Sequence, residues 1–233
     1  MDFAGNRMQH INKIALFDFC ETLANYQTAD AYIYYVIKYK KKNMRDYWFA
    51  CIRAVLANKI SRYVFYRFLH ISVNKHLLLK QIKGMNRSDM QSLALAYYRD
   101  VVKPNLIPET LDLLKEYKMN GYRVGIVSAG YDIYLNCFVD EYGVDDLIST
   151  RLAYAKDVFL GKYEEPDCIR DNKVKLMKGY YGIENMKEWD SISYSDSMTD
   201  IPFLRFTKKA VVVARKNKPA WAEKEKFEVL IWD

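Results

Sequence analysis

The 233-residue sequence has no stretch of about 18 uncharged apolar residues, and its opening residues, MDFAGNRMQHINK, hold no apolar run followed by a small-residue cleavage site. Neither a membrane span nor a secretory leader is expected, so the expected location is cytoplasmic. Four cysteines (Cys20, Cys51, Cys137, Cys168) are scattered without a Cys-x-x-Cys pair, which argues against a disulfide framework and against zinc. Three histidines (His10, His70, His76) lie too far apart in the chain to suggest a histidine metal centre. Proline is absent before Pro104, so nothing of that kind interrupts the first hundred residues.

Apolar residues make up 51% of the chain, aromatics 15% and charged residues 28%. That is enough for a sizeable core, and it excludes disordered, collagenous and coiled-coil chains. One globular unit with a substantial insertion, or two small domains, remains. The net charge of +7 is unevenly spread. Residues 24–105 carry 15 Lys and Arg against Asp30, Asp46, Asp89 and Asp100, a net of +11, whereas the rest carries 21 basic against 25 acidic residues. A basic segment of this kind either attracts an anion or is a solvated helical face.

Residues 13–19 (KIALFDF) read as a buried parallel strand that presents Asp18 at its carboxyl end. From about Ala29 to Lys103, apolar residues recur three and four apart among Lys and Arg, interrupted only by Gly84, which predicts a block of about four helices. Pro108 opens a further helix that stops at Gly121, and RVGIVSAG reads as a strand followed by a turn. A helix to Gly143 follows, then short strands with a turn through DDLIST and RLAYAKDVFLGKY. A helix from about Asn172 to Tyr180 comes next, and after it the strands WDSISYSD, AVVVA and FEVLIW. This alternation predicts a doubly wound parallel α/β sheet with the helical block inserted after its first strand.

Four segments fall at strand ends, where an open parallel sheet gathers its ligand. They are Asp18-Phe19-Cys20-Glu21-Thr22, Ser128-Ala129-Gly130, Lys173 at a helix start, and Ser195-Asp196-Ser197-Met198-Thr199-Asp200. Together they hold what phosphoryl transfer needs. One carboxylate can attack phosphorus, a hydroxyl, an ammonium and backbone N–H groups can hold its oxygens, and two further carboxylates suit a hard magnesium ion. Each has an ordinary alternative. Ser128, Asp196 and Asp200 are residue types that cap helices, Lys162 competes with Lys173, and Cys20 is small enough to be mere packing.

With these four segments in this order, the chain resembles the haloacid dehalogenase superfamily, and within it the phosphoserine-phosphatase-like subclass with a helical cap after the first motif. The resemblance covers essentially the whole chain. It implies a core of residues 1–23 and 105–233 and a cap of residues 24–104. It implies that Asp18 forms an aspartyl-phosphate and that Mg2+ is held by Asp18, the Cys20 carbonyl and Asp196, with Asp200 in support. Ser128, the Ala129 backbone and Lys173 would hold the phosphoryl oxygens, and Thr22 would fix the first loop. The implied activity is hydrolysis of a phosphate monoester.

Two positions depart from that pattern. Phosphatases of the superfamily carry an acid/base aspartate where this chain has Cys20, and loss of general acid–base help is worth about 10²- to 10⁴-fold. Activated substrates, a substitute acid such as water, Glu21 or a cap residue, or a catalytically impaired phosphate-binding protein are the readings left open. Gln27 stands where phosphoserine phosphatases place an acidic residue, so phosphoserine is not the expected substrate.

The basic cap, with Arg53, Lys59, Arg62 and Arg67 among aromatic residues, reads as a solvated face, as a lure for a polyanionic small molecule, or as a surface lying on anionic lipid. Tyr-Ser-Asp-Ser with Asp200 and Pro202 is also similar to the fourth motif of bacterial phosphatidylglycerophosphate phosphatases, which leaves a phospholipid headgroup and peripheral membrane contact open. No nucleic-acid partner is expected, because no recognised binding fold accompanies the basic residues.

Overall fold

The computed structural model describes residues 12–40 and 73–233. The part of the expected helical block over residues 41–72, with Arg53, Lys59, Arg62 and Arg67, lies outside the described residues, as do Cys51, His10 and His70. Helices cover both faces of a six-stranded parallel sheet. Its strands are β1 (Lys13–Phe17), β2 (Arg123–Tyr131), β3 (Asp146–Thr150), β6 (Asp190–Ser195), β7 (Lys209–Arg215) and β8 (Glu228–Trp232). The spatial order is β3-β2-β1-β6-β7-β8. From β1 the chain builds outward through β2 and β3 on one side, then returns to build outward from β6 on the other. The switch point, where ligands collect in such sheets, therefore lies between β1 and β6. There the Asp18 N–H donates to the Tyr194 carbonyl at 2.9 Å.

Past its exposed first residue, Lys13, β1 is apolar because both of its faces are covered. Ala15 and Phe17 join a large core with Leu23, Tyr32, Val36, Met90 and Phe138, while Ile14 and Leu16 join Val127, Met177, Tyr181 and Phe203 on the other face. Each such fully buried side chain contributes roughly 1.5–3 kcal/mol of transfer free energy. The covering helices are α4 (Pro108–Met119), α5 (Asp132–Tyr142) and α6 (Asp171–Tyr181). Gly143 ends α5 and Gly182 ends α6 in the left-handed conformation, at φ 59° and 68°. Short helices α7 (Ile201–Leu204) and α8 (Ala220–Lys224) complete the core.

The segment after β1 enters and leaves the core side by side. The Ile107 N–H donates to the Leu23 carbonyl at 2.8 Å, and the Asn25 N–H to the Asn105 carbonyl at 2.9 Å. Its described helices are α1 (Thr28–Lys40), α2 (Val73–Gln81) and α3 (Arg87–Tyr97), the last running on into a π-helical turn at Tyr98–Val102. Tyrosine rings join α1 to α3 and to the core helix α5, with Tyr32 5.4 Å from both Tyr97 and Tyr134.

The strands β4 (Leu152–Ala155) and β5 (Val158–Tyr163) form a separate antiparallel hairpin, whereas DLIST is the edge strand of the main sheet. Backbone bonds tie this hairpin to the insertion. The Gly84 N–H donates to Phe159 O at 2.9 Å, the Phe159 N–H to Met85 O at 2.8 Å, and the Arg87 N–H to Asp157 O at 2.8 Å. Contact is so close that a Cβ on Gly161 would stand 2.9 Å from Lys83 Cβ. The expected turn at Ser128-Ala129-Gly130 is instead a register shift within β2, which pairs with β3 again at Tyr131. Among the described residues, no helix is long and apolar enough to cross a membrane.

Candidate active site

Asp18 follows β1 directly, Ser128 lies in β2 at the register shift, and Asp196 follows β6, so all three sit at the carboxyl edge beside the switch point. Lys173 reaches them from the first turn of α6. Its ammonium donates to Asp18 Oδ1 at 2.9 Å and also to Asp200 Oδ2. Asp18, Lys173 and Asp200 are only 6%, 2% and 3% exposed, so these contacts act in a medium that screens charge poorly. Ser195 Oγ donates to Asp200 Oδ2 at 2.8 Å and fixes that carboxylate. Lys162, the competitor for the lysine role, is exposed on β5.

Two carboxylates, Asp18 and Asp200, share one ammonium here, with a third, Asp196, nearby. Burial pushes the Asp18 carboxyl above its ordinary value, and the adjacent Lys173 charge pulls against that shift. Burial works against the charged Lys173, but Asp18 and Asp200 outweigh it and hold the ammonium well above its usual range. Among the described residues, Asp196 has no cation within ion-pair distance. Burial, followed by the charges of Asp18, Glu21 and Asp200, pushes it up to about 8.

Thr22 joins the first and fourth segments. The Asp196 N–H donates to Thr22 Oγ1 at 3.0 Å, and Thr22 Oγ1 donates to Asp196 Oδ1 at 3.3 Å. Thr110 Oγ1 in turn donates to the Thr22 carbonyl at 2.7 Å, so α4 holds this loop from outside. Glu21 sits at φ 55° in the left-handed region, a conformation costly for a non-glycine residue and common in loops that serve a site. Asp200 stands at the N-cap of α7, but its carboxylate makes no capping bond and is held by Lys173 and Ser195 instead. Tyr131 rather than Ser128 occupies the N-cap of α5, and Ser197 caps the 3₁₀ turn Met198–Asp200. Ser128 Oγ accepts from the Gly130 N–H at 3.2 Å.

Cys20 is buried beside these groups. Its thiol lies 3.1 Å from Thr28 Oγ1, which lies 2.7 Å from the Tyr134 hydroxyl. Burial and the Asp18 charge push the thiol up to about 11, so it stays protonated near neutrality and cannot act as a base there. Sequence reading missed Thr28, Tyr134 and Thr110, and it placed Ser195 in the fourth segment without giving it a role of its own. Ser195 is signalled by its place just before Asp196, whereas the others come from distant segments that only the fold brings together.

A family model for haloacid dehalogenase-like hydrolases matches residues 15–205. The chain belongs to that family. Among its haloacid dehalogenase-like relatives, the phosphoserine phosphatase of Methanocaldococcus jannaschii is 31% identical over 114 residues, 48% of this chain and 53% of that protein. The chain thus spans about half the length of that curated relative. A protein of unknown function from Bordetella pertussis Tohama I shares the fold with a TM-score of 0.79 at 18% identity, covering 94% of this chain and 98% of that one. A structure titled as a phospho-aspartyl intermediate analogue of phosphoserine phosphatase matches with a TM-score of 0.60 at 19% identity, covering 95% and 93%.

Proposed function

We propose that this chain is a Mg2+-dependent phosphatase that hydrolyses a phosphate monoester through a phosphoryl group carried on Asp18. The core would be residues 1–23 and 105–233, with residues 24–104 as the cap. One observation carries this reading. A buried carboxylate at the β1 end, paired at 2.9 Å with an ammonium, lies at the switch point between a hydroxyl-bearing loop on β2 and a second carboxylate after β6. The M. jannaschii relative and the structural match named for phosphoserine phosphatase support it.

In the first half-reaction an Asp18 oxygen attacks phosphorus while the bond to the ester oxygen breaks. The Ser128 hydroxyl, the Ala129 backbone and the Lys173 ammonium hold the phosphoryl oxygens as charge shifts onto them. In the second half-reaction water cleaves the acyl phosphate and frees Asp18. Asp18, Asp196 and the Cys20 carbonyl would hold the metal, with Asp200 behind them. Among the described residues no group of three His, Cys, Asp or Glu side chains is arranged to hold a metal. Two carboxylates with a backbone carbonyl nevertheless suit an ion that keeps several waters, and the charge deficit that raises Asp196 is what a cation relieves. When bound, Mg2+ neutralises charge on nucleophile and phosphoryl group together.

The neutral Cys20 thiol sets the substrate range. A leaving group that departs without a proton is cleaved readily, whereas a simple alkoxide must take its proton from water or another group. The substrate is a phosphorylated small molecule. Gln27 donates to Glu21 at 2.7 Å, so the side chain at the position where phosphoserine phosphatases meet an amino group is itself an amide bound to a carboxylate. The test is Mg2+-dependent phosphate release over sugar, amino-acid, nucleotide, acyl and lipid phosphates, with Asp18→Asn as blank. Release above the blank establishes the phosphatase and its substrate class. No release, with phosphate and Mg2+ still bound, makes it a binding protein.

A further inference from the structure

Lys75, on α2 of the insertion, is buried at 7% exposure at the seam with the core. Its ammonium donates to the Ala129 carbonyl at 3.0 Å and to Thr150 Oγ1 at 3.3 Å. Thr150 Oγ1 donates to the same carbonyl at 3.1 Å and accepts from the Cys168 N–H at 3.2 Å, so its one proton and both lone pairs are engaged. This small network joins the insertion to the Ser128–Gly130 loop, to the end of β3 and to the segment that leads into Lys173. The hairpin bonds at Gly84, Met85 and Arg87 hold the C-terminal end of α2 against the core, which fixes where Lys75 starts.

The charge on this lysine is poorly compensated. Among the described residues no carboxylate lies within ion-pair distance of it, in contrast to Lys173. The groups around it are Asp30 on α1, Asp167 and Cys168 before α6, Cys20 after β1, and the rings of Tyr131 and Tyr163 at 5.0 and 5.2 Å. Burial draws its pKa down, against the weaker pull of Asp167 and Asp30. Burying an ammonium away from any carboxylate is unfavourable, and that cost is offset where an anion arrives.

We propose that Lys75 is a positioning residue that ties phosphate binding to the docked insertion: by holding the Ala129 carbonyl it keeps the Ser128–Gly130 loop in its phosphate-receiving form, and its positive charge favours the bound anion. This rests on the reading of that loop as the phosphate holder. It makes the insertion part of the phosphate site itself. Neither Lys173 nor Ser128 alone then sets phosphate affinity.

The test titrates the full chain, in Mg2+, with inorganic phosphate, and compares wild type with Lys75→Met, Lys75→Arg and Thr150→Val. Lys75→Met is expected to weaken phosphate about 10- to 100-fold, as loss of a charged hydrogen-bonding partner does. Lys75→Arg should recover most of that loss, and Thr150→Val should show a smaller one. On a turned-over ester the Met variant raises KM more than it lowers kcat. Phosphate binding within about twofold of wild type in a folded Lys75→Met protein overturns the inference. If Lys75→Met does not fold, Lys75→Gln, which keeps a donor without the charge, decides by the same comparison. Wild type that binds phosphate but hydrolyses nothing removes the hydrolase reading and leaves this inference standing; wild type that does not bind phosphate removes both.

Discussion

Lys173 and Lys75 are both buried, and their surroundings differ. Lys173, in the core, donates to two carboxylates, and a serine hydroxyl braces one of those in turn. Lys75, in the insertion, donates to a carbonyl and a hydroxyl and faces two tyrosine rings. The first lysine belongs to a charge cluster whose members hold one another. The second has, among the described residues, no carboxylate within ion-pair distance. One region is organised before substrate arrives, and the other gains most when an anion does.

Removing the nucleophile is expected to have the largest effect. Asp18→Asn should cut phosphate release at least about 10³-fold while the circular dichroism spectrum stays native, since a group that carries the covalent step has no substitute. Lys173→Met should destabilise the fold by about 3–5 kcal/mol in urea unfolding, because it strands Asp18 and Asp200 facing each other. Lys75→Met, which strands no carboxylate, should shift the same midpoint by less than about 1 kcal/mol in either direction. Equal losses in the two lysine variants would erase the contrast between the regions.

Cys20→Asp sharpens it from the other direction by placing a carboxylate at the site edge. It is expected to raise turnover of alkyl phosphates about 10-fold or more over its effect on activated aryl esters, because only the former need a proton on departure. An equal gain for both would show that another group already supplies that proton.

The smallest expected effect concerns Asp196, whose pKa is pushed up to about 8 in the folded chain. A carboxyl raised on folding binds more protons in the native state. Its contribution therefore falls as pH rises from the unfolded value near 4 towards 8. A cation that displaces this proton should raise the melting temperature more at pH 8 than at pH 6, and Asp196→Asn should flatten the difference. Equal increments at the two pH values in wild type would separate Asp196 from the metal.

The sheet was legible in the sequence because burial on both faces leaves a plain mark. KIALF and AVVVA read as apolar runs, and Gly121 and Gly143 stand at the helix ends. Three of the four candidate segments stand out because each follows such a run, and Lys173 because it opens a helix. What the sequence did not show depends on contacts between distant residues. Lys75 is one lysine among many in a basic segment, and nothing local distinguishes it from its exposed neighbour Lys80. The Thr110 bond to the Thr22 carbonyl and the Cys20–Thr28–Tyr134 contacts likewise join residues that no spacing rule relates. The shift at Ser128–Gly130 was read as a turn because Ser-Ala-Gly is turn-like, yet pairing with β3 carries the strand on to Tyr131.

The most direct test of the central claim is an acid quench during turnover of a labelled phosphate ester with Mg2+, followed by peptide mapping. A hydroxylamine-labile phosphoryl adduct on the peptide that contains Asp18, absent in Asp18→Asn, is the result predicted. Phosphate release with no adduct on Asp18, or undiminished release by the Asn variant, would contradict it.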